Sequence, residues 1–321
     1  MGKRMRILAF LLALLALFPA GAEEAPALTP YPLPEKITRA LPAMEESGFL
    51  APGEAPYTYA SREEGLWLYV DEALRVEIHR KEEGGIPLVW FESYVSCRGE
   101  EALQTYQAGS GRSESHFKAP DQLAREAGFV FATSDDFYGY RVLNQYKLGT
   151  LIREGVILSD QQSPYSDQRF PAMDILAVYP DGSLKTYFSD GGTAQALLAE
   201  GVETAFCFGP VLVREGEVDP RVEKGGIYAD LEPRHAIGMI APRRYVFLTA
   251  LGRRSDSRGT GLRWMARRLQ ALGAVEAFNL DGGNSLTLVF LGEIINRAPG
   301  NANNRPITSL IGFGKMDGAA K

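Results

Sequence analysis

The chain has 321 residues, 34 of them basic and 40 acidic, for a net charge of −6. With 45% hydrophobic and 23% charged residues it has the composition of a protein with a core, which excludes a disordered or collagen-like chain. A pI near 5.3 excludes a general nucleic-acid binder, which needs surplus Lys and Arg to neutralise phosphates.

Lys3, Arg4 and Arg6 precede an uninterrupted apolar run, Ile7–Phe18, which Pro19 ends before the small residues Ala20-Gly21-Ala22. This order predicts a signal peptide over residues 1–22. The run is too short for a stable membrane span, which needs roughly 20 apolar residues. The expected location is therefore secreted or in the cell envelope. Cleavage after Ala22 removes those three cations and takes the net charge from −6 to −9. Residues 23–60 contain Pro26, Pro30, Pro32, Pro34, Pro42, Pro52 and Pro56, and read as an extended linker, part of which can pack onto the domain through Ile37, Leu41 and Phe49. A single domain is expected over 61–315.

Within it, Leu74–His79 alternates apolar and polar residues as a half-buried strand does, and Pro87–Val95 reads as its partner beyond the Glu83-Gly84-Gly85 turn. Asp121–Ala127 reads as a short helix capped by Asp121 and stopped by Gly128. Phe129–Ala132 is a buried strand. Asp174–Tyr179 and Leu184–Phe188 form a hairpin around Asp181-Gly182. Thr193–Glu200 is a helix with Thr193 as its cap. Ala236–Ile240 and Tyr245–Leu251 are strands. Leu262, Met265, Leu269 and Leu272 mark an amphipathic helix with Arg263, Arg267 and Arg268 on a solvated face. Val275–Leu280 and Ser285–Leu291 are the last strands assigned. Strands outnumber helices and the connections are too short for parallel crossovers, so the fold class is α+β, mainly antiparallel. Cys97 and Cys207 lie in apolar strand-like runs and read as buried thiols; an exported chain can also oxidise such a pair.

The candidate site begins with Asn279-Leu280-Asp281-Gly282-Gly283-Asn284-Ser285-Leu286-Thr287, a strand ending in an acid and two glycines. Such a turn either closes a hairpin or offers successive N–H groups to an anion. Ser134-Asp135-Asp136-Phe137-Tyr138-Gly139-Tyr140-Arg141 sets carboxylates beside aromatic rings, a combination suited to sugar stacking and acid–base work. Pro233-Arg234-His235-Ala236-Ile237-Gly238 puts an arginine directly before a buried strand, where it can grip a phosphate. Phe208-Gly209-Pro210-Val211-Leu212-Val213 offers a close backbone turn, and Arg305 follows a polar loop.

Taken together and in this order, these segments resemble the phosphodiester glycosidase family, the domain of the enzyme that removes N-acetylglucosamine from a sugar-1-phosphodiester. The resemblance runs from about Leu74 to Phe313 and includes Leu251-Gly252-Arg253 in place of the family's Asp-Gly-Arg. It implies hydrolysis of a sugar-1-phosphodiester or phosphorylated glycan, with Asp281 and Asp136 as catalytic carboxylates. Arg234, Arg253, Arg305, Gly209, Gly282, Gly283, Ser285, Tyr138 and Arg141 are the implied substrate contacts. No cofactor is implied. Asp135, Asp136 and Asp281 offer oxygens that suit Ca²⁺ or Mg²⁺, but without regular ligand spacing. Ser134, Asp135, His235, Leu251 and Asn284 depart from the family pattern. Two readings therefore stand: a hydrolase with altered substrate preference, or a non-catalytic envelope module that binds a phosphorylated glycan or a protein. A net-negative chain repels an anionic substrate at long range, so the arginines are expected to make the site locally positive.

Overall fold

Period-two alternation and short turns produce a molecule built from three sheets. The structure, a computed structural model, describes residues 28–99, 102–108, 117–135, 149–161, 173–297 and 305–316. Every strand pairing among them is antiparallel, as the short connections required.

The largest sheet has nine strands. Four come first in sequence: β1 (Tyr57–Ser61), β2 (Leu66–Val70), β3 (Leu74–Glu83) and β4 (Leu88–Cys97). Beyond β4 the order is β15 (Arg244–Ala250), β14 (Arg234–Ala241), β16 (Glu276–Leu280), β12 (Val211–Arg214) and β13 (Glu217–Val218). A second sheet orders β10 (Leu184–Tyr187), β9 (Asp174–Val178), β11 (Thr204–Phe208), β7 (Gly149–Arg153) and β8 (Val156–Gln161). A third orders β18 (Glu293–Ile294), β17 (Leu288–Phe290), β6 (Phe131–Thr133), β19 (Ser309–Phe313) and β5 (Gln104–Gln107).

The main core is shared by all three sheets. Ile237, Phe247 and Phe278 of the large sheet meet Leu176 and Phe206 of the second and Phe131 and Phe313 of the third. The large sheet is covered on its other face as well. There the helix Leu262–Ala271 lays Leu262, Met265, Ala266 and Leu269 against Ala236, Val246, Leu248 and Ala277. Burial on both faces explains why β15 is apolar almost throughout rather than alternating. Each fully buried Leu or Met of that helix contributes about 1.5–3 kcal/mol of transfer free energy.

Several local expectations change. Where it is described, the proline-rich stretch packs on the domain, as Ile37 and Phe49 allowed. Helix Glu35–Ala40 buries Ile37 against Leu66 and Leu68, Phe49 and Leu50 are buried, and β1 adds Tyr57–Ser61 to the large sheet. Its scattered apolar residues suffice to cover the outer strands. Asp121 does not cap its helix. Pro120 occupies the first turn after Ala119, and Asp121 lies inside, paired with Arg125 four residues on. Arg268 is not on a solvated face. It pairs with Glu92, whose side chain is fully buried and also accepts from Trp90 Nε1, Tyr31 Oη and Tyr94 Oη. Arg263 and Arg267 engage Glu223. Cys97 and Cys207 are separate buried thiols.

Candidate functional site

Three of the sequence segments converge because β12, β14 and β16 are neighbours. His235 pairs with Leu280 and Ala236 with Asn279, so the next step of the register brings Arg234 beside Asp281 at one end of the sheet. On the other side of β16, Val211 pairs with Phe278. The turn before it is fixed by backbone bonds from Gly209 N to Asn279 O and from Asn279 N to Pro210 O, both 3.2 Å. The buried Asn279 amide adds a bond to Gly209 O at 2.8 Å. Gly209 has φ +84°, and a Cβ there would stand 2.9 Å from Cβ of Asp174. Asp174 is fully buried and ties this corner together. It accepts from Val211 N at 2.9 Å and from Ser189 N at 3.1 Å, and it pairs with Arg221.

The fourth segment meets them from the third sheet. Asp281 N donates to Asp135 O at 2.9 Å, and Ser134 Oγ donates to Asp281 O at 3.1 Å. The acidic end of β6 is thus fastened to the Asp281 backbone. Asp135 itself is buried with an Arg153 guanidinium nitrogen 3.6 Å away. Asp136, Tyr138 and Arg141 lie outside the described residues.

The Asp281-Gly282-Gly283 turn is not a hairpin. It carries the chain from β16 in the large sheet to β17 in the third. The N–H groups of Asp281, Gly283 and Ser285 are donated to the carbonyls of Asp135, Pro233 and Gly282. They are therefore spent within the protein. Gly282 also allows a close backbone approach: a Cβ there would lie 2.4 Å from Pro233 O. Ser285 is buried, with Arg305 Nη1 3.4 Å from its hydroxyl, and neither residue lines the cavity described next.

That cavity, of about 290 Å³, opens where the segments meet. Gly209, Arg234, Arg253, Asp281, Gly282 and Gly283 all line it. Arg234 is half-buried, and burial lowers its pKa from the usual arginine value. Its guanidinium donates to the carbonyls of Ile227 (3.3 Å), Asp230 (3.2 Å) and Thr260 (3.4 Å). Among the described residues no carboxylate lies within ion-pair reach of it. Arg253, in contrast, is paired through Nε to Glu232 at 2.6 Å and donates to Asn284 Oδ1 at 3.3 Å. The Asn284 side chain thus turns onto Arg253 and does not line the cavity.

The wall facing these residues was not found from sequence. Ile227, Tyr228, Asp230 and Glu232 line it, on the loop after Gly225-Gly226 and directly before Arg234. The adjacent glycines, both with positive φ, were the available signal. With these carboxylates included, the described lining carries two cations and three acids. The expected local positive charge is therefore absent from this lining, because Asp230 and Glu232 outweigh the arginines together with Asp281.

Behind the cavity, His235 is fully buried and stacked on Phe247. Thr133 Oγ1 donates to Thr287 O at 2.9 Å, so it accepts from His235 Nε2 at 2.6 Å, and Nδ1 accepts from Thr249 Oγ1 at 2.9 Å. The ring is neutral, with its pKa pushed down to about 3 by burial. It joins the large sheet to the third one. Leu251 is buried in the core, so no carboxylate stands there.

The phosphodiester glycosidase family model matches residues 127–314, more than half of the chain. The chain belongs to the phosphodiester glycosidase family. A Bacillus subtilis (strain 168) relative, the SPbeta prophage-derived uncharacterized protein YomE, is 30% identical over 152 residues. That match covers 46% of this chain and 23% of the relative, so the chain spans under a quarter of that protein's length. Among solved structures, this family member is similar to the catalytic domain of zebrafish N-acetylglucosamine-1-phosphodiester alpha-N-acetylglucosaminidase, auto-inhibited by its pro-peptide. The TM-score is 0.60 at 16% identity, over 82% of this chain and 89% of that one. A hypothetical protein from Synechocystis matches with a TM-score of 0.51 at 17% identity, over 82% of this chain and 64% of that one. At these identities the likeness shows a shared fold. Among the described residues no helix is long and apolar enough to cross a membrane.

Proposed function

We propose that this protein hydrolyses a sugar-1-phosphodiester in an exported or envelope glycan. The observation that carries the reading is the meeting of Arg234 and Asp281 on one cavity, a guanidinium hydrogen-bonded to backbone carbonyls beside a carboxylate. Water adds to the anomeric carbon, the bond from that carbon to the bridging oxygen breaks, and a sugar and a phosphomonoester leave. The departing phosphate gains negative charge, which Arg234 is placed to stabilise. Asp281, with Asp136 as its proposed partner, supplies acid–base or nucleophilic chemistry. The test is hydrolysis of a sugar-1-phosphodiester by purified wild type and Asp281→Asn. A loss of at least about a hundredfold is expected, as for removal of a catalytic proton-transfer group. Equal rates would remove Asp281 from the mechanism.

A second reading, a binding module without turnover, is favoured by one observation: Leu251 buries a leucine where the family sequence has an acid. Calorimetric binding of the phosphodiester with no hydrolysis supports that reading, and turnover ends it. Export is part of the proposal, and a secreted form beginning near Glu23 is its check.

A further inference from the structure

We infer, resting on the proposed reading of this site, that Asp174 and Arg221 are positioning residues: neither lines the cavity, and their ion pair holds its two facing walls at a fixed spacing. One wall is the Gly209–Pro210 turn, and the other is the loop that carries Ile227 and Tyr228. Loss of the pair alters the space between the walls without touching Arg234 or Asp281.

Asp174 holds the first wall. Its side chain is fully buried at the start of β9, in the second sheet. One carboxylate oxygen accepts from Val211 N at 2.9 Å, directly after the turn. The other accepts from Ser189 N at 3.1 Å. A Cβ on Gly209 would stand 2.9 Å from Asp174 Cβ, so the turn rests on the aspartate itself. Any shift of Asp174 is passed to Gly209 and Pro210.

Arg221 joins the second wall to it. It belongs to the short helix Pro220–Glu223, whose chain continues through Gly225 and Gly226 into the loop. Its guanidinium is forked on Asp174, with Nη1 3.3 Å from Oδ1 and Nη2 2.5 Å from Oδ2. Nε and Nη2 also reach Asp219, whose side chain accepts from Arg221 N at 2.8 Å and whose backbone N–H donates to Leu212 O at 3.0 Å. The Phe188 ring centroid lies 4.3 Å from the guanidinium carbon. Tyr228 packs against the same apolar cluster as Val222 of this helix and Leu212 of β12. Burial raises the Tyr228 pKa, and the charges of Arg221, Asp174 and Asp219 all act on it. The loop is pinned a second time by the bonds from Arg234 to Ile227 O and Asp230 O.

Stability alone does not account for this arrangement. Two carboxylates with side chains 0% and 2% exposed share one guanidinium, a desolvation cost that apolar residues of like size would avoid. What the ionic triad supplies, and an apolar cluster would not, is a forked geometry with one allowed spacing.

The test compares the full chain with three variants, using the methyl phosphodiesters at C1 of glucose and N-acetylglucosamine for calorimetry and for hydrolysis. Asp174→Asn keeps the size of the side chain and an oxygen for Val211 N, but leaves Arg221 without its charge partner on β9. KM and the dissociation constant are expected to rise about tenfold with kcat nearly unchanged, the pattern of lost uniform binding. Arg221→Lys keeps the charge and loses the fork, so the same rise is expected. Arg268→Leu is the control: it breaks a buried pair on the other face of the large sheet, and is expected to lower stability while leaving KM as in wild type. Should Asp174→Asn not fold, Arg221→Lys carries the test. A wild-type KM in Asp174→Asn or Arg221→Lys, or an equal rise in Arg268→Leu, overturns the inference. Hydrolysis with KM unmoved by either of the first two substitutions leaves the hydrolase reading standing and sinks this one. Binding that weakens in both, with no hydrolysis by any form, does the reverse. A wild type that neither binds nor hydrolyses either ester ends both.

Discussion

Arg234 opens β14 and Asp281 follows the last residue of β16, so the two stand one register step beyond the His235–Leu280 pair. Their proximity follows from strand pairing alone. Residues 47 apart in sequence become neighbours because β14 and β16 align in only one register that keeps Ile237 and Phe278 in the core. Replacing Arg234 by Gln removes the charge and keeps some hydrogen bonding. Binding of a methyl phosphodiester is expected to weaken by about 1.5–3 kcal/mol, the range for hydrogen bonds to charged groups. Calorimetry measures it, and an unchanged dissociation constant would show that the phosphate sits elsewhere.

Gly282→Ala tests the turn. Its Cβ would meet Pro233 O at 2.4 Å, a contact with backbone that cannot rotate away. The strand end carrying Arg234 must move. A cost of about 1–3 kcal/mol is expected from such overpacking, together with lost phosphodiester binding. Denaturant unfolding and titration of the same sample report both. Wild-type stability in this variant contradicts the close approach.

A different face of the large sheet carries the next prediction. Glu92 is fully buried and its pKa is held below the usual carboxylate range: burial alone would raise it, but hydrogen bonds from Trp90 and Tyr31 and the Arg268 charge prevail. Arg268→Leu leaves that carboxylate charged and buried without its cation. About 3 kcal/mol of stability is expected to be lost, as for other broken buried pairs. The double variant with Glu92→Leu recovers part of it, since no charge then remains to be desolvated. Urea midpoints of the single and double variants decide the matter.

His235 predicts a pH dependence. Its folded pKa is about 3, below the ordinary 6.5. Between those values the unfolded chain binds a proton that the folded chain refuses. Stability from this group is therefore complete above about pH 6.5 and falls as the pH drops towards 3, by about 1.4 kcal/mol per pH unit. His235→Thr, which keeps a hydroxyl at the position, is expected to remove that component of the slope. Urea unfolding from neutral to mildly acid pH measures it. Identical slopes in wild type and variant would mean that His235 is charged in the folded state.

The sequence made the elements of the site legible, but not all of their partners. The Asp174–Val178 and Leu184–Tyr187 hairpin, the helix Leu262–Ala271 and the Thr193 cap are local features, and each is present. The antiparallel fold class follows from them. Gly209, Arg234, Arg253, Asp281, Gly282 and Gly283 do meet on one cavity. Ser285 and Arg305 do not, because the 3₁₀ turn Gly283–Ser285 points the serine inward. The wall at Tyr228 and Asp230 escaped because a short loop has no period to read. Arg268 looked solvated because its partner, Glu92, lies 176 residues away. Hydrophobic spacing says which face of a helix is apolar; it says nothing of a buried acid waiting on a distant strand.

The cavity also has a folding history written into it. Gly209, Arg234, Arg253 and Asp281 come from four separate stretches, and Asp135 joins from a fifth through its bond to Asp281 N. None of these contacts can form until β12, β14 and β16 have paired and the third sheet has closed over them. Closure of such long loops must precede any reward from the contacts, so slow folding is expected. Binding competence is therefore expected to appear only in the last kinetic phase of refolding, after most β-structure has already formed.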